Sequence, residues 1–467
     1  MNVKLFWILL LSLLSPFSKS QQLEDNITPT YSEIINFYDS LENRYNQARL
    51  IEIGKSDIGK PIHLFIIDSD HEFNPVAISK RKKVYYLINN GIHAGEACGI
   101  EASMKLASDL LSNPSYKKFL ENVVVLIIPV YNISGSLNRN SFTRVNQNGP
   151  EEYGFRGNIR NLDLNRDFIK ADSKNASSFN SFYTQWDPDV FVETHTTNGS
   201  NHSYTLTLIG SQKDKLNPEI SAYQYQKMIP ALFDDMEKKS KSIIPYVFPI
   251  NKDPKDGIKS FLETARYSSG YTSLFDSYSF ITEAHSYKSY PERTIHTYEF
   301  LKSMLAYLDQ NSKAVLKSRK RAKEFTEKRK VFPLNFVLDS SYSEYLRFRG
   351  YNKKPIESNI VSDKIYTYDT SDSYDTIIPY FNQYKSTISI YKPKYYVIPQ
   401  AYTKVIERLK WNGIELDTLK KDSSIEGTNY YIANYKSVKN PYEGHYLHYD
   451  INVTKKVEKR LFFKGDY

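Results

Sequence analysis

The sequence predicts an α/β fold, a mixed and mostly parallel central sheet flanked by helices, followed by a C-terminal β-rich domain. Three observations predict it. From residue 50 to residue 310, short β-branched runs alternate with longer runs at helical period, the pattern of strands joined by helical crossovers. Several of the short runs are apolar on consecutive residues, which requires burial on both faces and therefore helices on both sides of the sheet. After residue 331 the texture changes to alternating segments separated by Gly, Pro, Asn and Asp; 19 of the 39 tyrosines fall there, as strands favour.

Each element follows from its residues. MNVKLFWILLLSLLSPFSKS, residues 1–20, sets a lysine before an apolar run that ends in small residues. That is the layout of a signal peptide, and the apolar run is shorter than the roughly 20 residues a membrane-crossing helix needs. The mature chain is therefore expected to be exported, periplasmic or extracellular, with no stable membrane insertion. A helix over 30–47 leads into strands at RLIEIG, IHLFIID and KVYYLINN. A helix over 97–112, the strand VVVLIIPVYN and a helix over 174–184 come next. The strands DVFVETHT and SYTLTLIG, a helix over 217–240, the strand SYSFITEAH and a helix over 291–325 complete the unit. Residues 21–330 thus form one domain and 331–467 a Tyr-rich accessory domain, with a helix near AYTKVIERLKWNG and its tyrosines packing within and between sheets.

Composition narrows the function classes. A chain of 467 residues with 40% hydrophobic and 25% charged content is folded and exceeds one ordinary core. Its net charge of +9 is scattered, with one dense run, KAVLKSRKRAKEFTEKRK. Acidic residues interleave that run, so it reads as a solvated helix face and no nucleic-acid partner is expected. Cys98 is the single cysteine, so no internal disulfide forms despite export, and it is expected to be a small buried residue at a helix start rather than a reactive thiol.

Chemistry gathers where strands end. In INNGIHAGEACGIEASMKLASDLL, His93 and Glu96 lie three apart in a turn between a strand and a helix, with Gly91 and Gly95 allowing a tight bend. Catalytic zinc takes three ligands from His and carboxylate and leaves a position open. His195 closes another strand in DVFVETHTTNGS, and Glu193, on the same side of that strand, is positioned to orient its imidazole. Glu283 ends a third strand in SYSFITEAHSYKSY and has no evident structural use there. Asn165 and Arg166, adjacent in RGNIRNLDLNRDF, suit bidentate binding of a carboxylate, and Arg144 in FTRVNQNG is the upstream cation.

Together the ordered motifs GIHAGE, TRVNQNG, LDLNRDF, ETHTTNG and FITEAHS resemble the zinc carboxypeptidases of the carboxypeptidase A type, across residues 30–310. The resemblance implies one zinc ion per chain on His93, Glu96 and His195, and Glu283 as general base to a zinc-bound water. It further implies Arg144 as the oxyanion cation, Asn165 with Arg166 as the clamp on a peptide's free C-terminal carboxylate, and a mobile tyrosine. Tyr267 and Tyr271 both suit that last role; Tyr271 is favoured. One departure is Glu193, where the family usually has aspartate. The C-terminal region is similar to the appended domain of secreted bacterial members. The rival expectations are an amidase of the same fold acting on cell-wall peptides or acylated amino acids, and a non-catalytic binding protein working through its Tyr-rich region.

Overall fold

The apolar runs become the strands of one sheet. A computed structural model describes residues 26–77, 80–359 and 364–467; the leader-like residues 1–20 lie outside them. Among the described residues, nine strands precede residue 290: β1 (Ala48–Lys55), β2 (Pro61–Ile67), β3 (Val84–Asn89), β4 (Val123–Ile128), β5 (Val190–Thr197), β6 (Leu206–Gly210), β7 (Ile243–Pro245), β8 (Ile258–Lys259) and β9 (Tyr278–His285). All but β8 join one eight-stranded sheet in the order β1-β2-β4-β3-β5-β9-β6-β7. The pairs β3–β4, β3–β5, β5–β9 and β6–β7 are parallel, and the rest antiparallel. Every residue of β3 and β4 is buried, as their unbroken apolar sequences require.

The helices are α1 (Tyr31–Arg44), α2 (Cys98–Ser112), α3 (Ile133–Leu137), α4 (Lys174–Trp186), α5 (Pro218–Tyr223), α6 (Ile229–Lys238), α7 (Ser268–Thr272), α8 (Tyr290–Lys328) and α9 (Thr403–Trp411). The helix expected over 217–240 is α5 and α6, joined by a π-helical turn at Gln224–Met228. Helices cover both faces of β5, whose side chains alternate. Phe191 meets Phe179 and Tyr183 of α4 on one face, while Thr194 on the other lies so close to Gly99 of α2 that a Cβ there would sit 1.9 Å from its Oγ1.

The basic run is largely the solvated face expected, with Lys313, Lys317, Lys320 and Arg321 exposed, and one residue departs from it. The run forms the end of α8, and its Arg319 is fully buried, with Nη1 2.5 Å from Asp189 and Nη2 2.5 Å from Asp187. Two carboxylates supply the compensation that a buried guanidinium needs.

Beyond α8, β10 (Val331–Leu338) pairs with β13 (Tyr384–Tyr391), β11 (Glu344–Ile356) with β12 (Ile365–Phe381), and β14 (Ser423–Ser437) with β15 (His448–Phe462), all antiparallel. β12 also pairs in parallel with β8, and Phe348 and Ile378 share a small core with Tyr204, Ile244 and Ile258. Many tyrosines here do not pack as expected: Tyr345, Tyr391, Tyr395 and Tyr396 are each at least 73% exposed. The strands form two- and three-stranded sheets, and most residues of β13, β14 and β15 are exposed, so much of each face lacks a covering layer, while Tyr395 and Tyr396 lie outside the strands.

Candidate metal centre and active site

Three neighbouring parallel strands carry the site. β3 runs into the turn that holds His93 and Glu96; β5 carries Glu193 and His195; β9 carries Glu283, which is the register partner of His195. The turn is tight because Gly91 adopts φ +66°, a conformation that favours glycine. Gly95 is needed for space: a Cβ there would lie 2.6 Å from the Gly154 carbonyl and 2.7 Å from Arg144 Cδ.

The metal-capable atoms of His93, Glu96 and His195 lie within 4.8 Å of one another, and all three side chains are buried. His93 Nδ1 is 3.1 Å from Glu96 Oε1 and 3.1 Å from His195 Nδ1, and His195 Nδ1 is 2.9 Å from Glu96 Oε2. The opposite ring nitrogens face carboxylates: His93 Nε2 is 3.0 Å from Asp163, and His195 Nε2 is 3.0 Å from Glu193. Two imidazoles with their outer nitrogens so held, and one carboxylate, are the donor set of a catalytic zinc site. Burial works against charge on Glu96, but His93 and Arg144 outweigh it and hold its carboxyl well below the usual range. At Glu283, burial dominates and pushes the carboxyl up to about 7, against the pull of His195.

A cavity of about 440 Å³ opens onto these groups, within the ordinary size of a ligand site. Arg144, Arg156, Asn165, Arg166 and Tyr267 line it. Arg144 reaches the centre from the ligand side: Nη1 is 3.0 Å from Glu96, Nε donates to Gln147 at 2.6 Å and Nη2 to the Thr196 carbonyl at 3.2 Å. Asn165 is buried, with Nδ2 3.3 Å from His195 Nε2 and Oδ1 accepting from Ser268 N at 3.0 Å. Arg166 lies with its guanidinium 4.1 Å from the ring centre of Tyr267.

The family model for zinc carboxypeptidases matches residues 34–315. The chain belongs to the zinc carboxypeptidase family. It is a zinc metallopeptidase that acts on peptides, and His93, Glu96 and His195 form a donor set that fits the family's metal. Solved structures similar to this carboxypeptidase include a metallo-carboxypeptidase from Burkholderia cenocepacia (16% identity, 60% of this chain and 70% of that one, TM-score 0.45). A metallo-carboxypeptidase from Pseudomonas aeruginosa (12% identity, 62% and 70%, TM-score 0.46) and carboxypeptidase A from Helicoverpa armigera (14% identity, 62% and 75%, TM-score 0.47) are also similar. No curated protein matches the chain. Among the described residues no helix is long and apolar enough to cross a membrane.

Two positions of this carboxypeptidase differ from expectation. Tyr271 does not reach the cavity: it is fully buried in α7, packed on Phe168, Phe179 and Tyr183, with its hydroxyl donating to Asn412 at 2.8 Å. One helical turn separates it from Tyr267, and the helix that turns Tyr271 inward leaves Tyr267, its N-cap residue, at the cavity. The second is Arg156, which lies outside the expected set of site residues. Its Nη2 donates to Asp163 at 2.8 Å, and Nη1 stands 3.3 Å from His93 Nδ1 and 3.6 Å from Glu96. The available signal was its place at the head of the same run that ends in Asn165 and Arg166.

Proposed function

We propose that this carboxypeptidase removes the terminal residue from peptides with a free C-terminal carboxylate, using Glu283 as general base and Arg166 with Asn165 as the carboxylate clamp. The observation that carries the reading is the convergence of His93, Glu96 and His195 beside Glu283, the cross-strand neighbour of His195. His93, Glu96 and His195 would hold zinc, which would supply Lewis acidity to the scissile carbonyl and to water. Glu283 takes the proton from the attacking water and delivers it to the leaving amine, for which a carboxyl raised by burial is suited. Arg156 rather than Arg144 is assigned to the developing oxyanion, because Glu96, Gln147 and the Thr196 carbonyl engage all three nitrogens of Arg144, whereas Arg156 is anchored on Asp163 through Nη2 and brings Nη1 to the metal-facing Nδ1 of His93. Tyr267 takes the tyrosine role.

The cavity walls favour an apolar residue at the released position. Ile209, Ile281, Phe261 and Tyr246 line it, and the only acids on its wall among the described residues are Glu96 and Glu283. Residues 1–20 support export, which N-terminal sequencing of protein recovered outside the cytoplasm would test. A panel of peptides with free or amidated C-termini tests the central reading: the free forms should lose their last residue, apolar ones fastest, and the amidated forms should persist. Equal cleavage of amidated peptides would overturn it and favour an amidase.

A further inference from the structure

The last hairpin of the chain touches the segment that bears the clamp. β14 and β15 are long ribbons, and the loop between them closes on a two-residue turn at Glu443 and Gly444, with φ of 49° and 76°, while Tyr442 N donates to His445 O at 2.8 Å and the reverse bond is 3.1 Å. This tip lies against residues 163–172. Arg166 Nε donates to the Tyr442 hydroxyl at 3.0 Å, and Asp163 N donates to the Glu443 carboxylate at 2.8 Å. Lys170 Nζ donates to the Glu443 carbonyl at 3.2 Å, Arg266 lies 5.2 Å from the Tyr442 ring centre, and His445 contacts Asp172. From the other side, Arg408 of α9 donates to the carbonyls of Lys170 at 2.7 Å and Ala171 at 3.1 Å.

We propose that Tyr442 and Glu443, at the tip of the β14–β15 hairpin, are positioning residues of the carboxylate subsite and hold Arg166 in the orientation that grips the substrate's terminus. The proposal rests on the reading of Arg166 as the clamp. A guanidinium is a rigid fork, and its usefulness to a carboxylate depends on which edge it presents. Here the plane rests on Tyr267, Nη1 donates to the Asn165 carbonyl at 2.8 Å, and Nε is taken by Tyr442. With Nε engaged, the edge that remains for bidentate binding is the one formed by Nη1, which has a second N–H and stands 3.9 Å from Asp163, and Nη2. Glu443 adds a second hold, on the backbone of Asp163, whose side chain orients His93. The β-rich region is therefore part of the active site and not only an appendage.

Orientation of a group that contacts substrate and transition state alike changes KM and leaves kcat. The test compares the full-length enzyme with Tyr442→Phe, Tyr442→Ala and Arg166→Ala on a free-carboxylate peptide, together with inhibition by a free apolar amino acid as product. Tyr442→Phe, which removes one hydrogen bond and keeps the ring, should raise KM and the inhibition constant by about 3- to 10-fold with kcat and melting temperature held. Tyr442→Ala should raise them further. A rise in KM for Arg166→Ala with wild-type values for both Tyr442 variants would overturn the proposal alone. An unchanged KM for Arg166→Ala would instead remove the clamp reading, and the proposal with it.

Discussion

At Glu283 two effects oppose: burial raises its carboxyl to about 7, and a divalent cation beside it would lower it. The general base proposed for Glu283 works only when ionised, so the sign is definite. kcat/KM should be full above that pKa and fall as pH drops through it, with the acid limb below 7 in the zinc-loaded enzyme. Glu283→Gln should cost about 10²- to 10⁴-fold in kcat while elemental analysis still finds one zinc per chain. Near-normal turnover in that variant would remove Glu283 from the mechanism. The two arginines separate by a different pair of measurements. Arg144 neutralises the ligand Glu96, so Arg144→Ala should weaken zinc affinity by about 10- to 100-fold. Arg156→Ala should leave zinc in place and lower kcat by about 10²-fold. If Arg144→Ala lowers kcat at saturating zinc and Arg156→Ala does not, the two roles are exchanged.

The site depends on how α2 seats against β5. His93 and Glu96 precede α2, His195 lies two residues before the end of β5, and Cys98 at the helix start is buried with its sulfur 3.5 Å from the Thr196 hydroxyl. Gly99 permits the approach, since any Cβ would overlap the Thr194 side chain. Gly99→Ala should therefore cost about 1–3 kcal/mol in urea unfolding and also reduce zinc affinity, because the helix can relieve the overlap only by moving the ligand turn. A stable variant with unchanged zinc affinity would show that the helix start has slack. The long α8 contributes at its opposite end, where Arg319 between Asp187 and Asp189 fastens the helix to the loop before β5.

For the whole molecule, zinc is expected to act as a stabilising ligand, since the buried ligands on β5 and the turn after β3 belong to different parts of the chain. Binding to the native state alone stabilises by about 4 kcal/mol at a thousandfold excess over Kd. Chelation should lower the melting temperature, and zinc should restore it; no shift after removal proven by elemental analysis would mean that the centre contributes nothing to the fold. The core itself is large and continuous, running from α1 to α8, so the chelated protein should still be folded at room temperature. With Cys98 the sole cysteine, packing rather than cross-linking provides that stability.

Periodicity made the strands and the long helices legible, because burial on a sheet or helix face constrains residue type locally. His93, Glu96, His195 and Glu283 were legible for the same reason: each follows a strand that announces itself or lies near its carboxyl end, and parallel strands bring their carboxyl ends together. What the residues alone determined is therefore the α/β scaffold and the strand ends that bring His93, Glu96 and His195 together beside Glu283. Tertiary structure decided which of Tyr267 and Tyr271 meets the cavity, that Arg156 stands over the ligands beside Arg144, that Arg319 is buried, and that Tyr442 bonds an arginine 276 positions away. Those outcomes depend on one turn of a short helix, the path of an irregular loop and the docking of a distant hairpin. No local pattern of residue types records such long-range geometry.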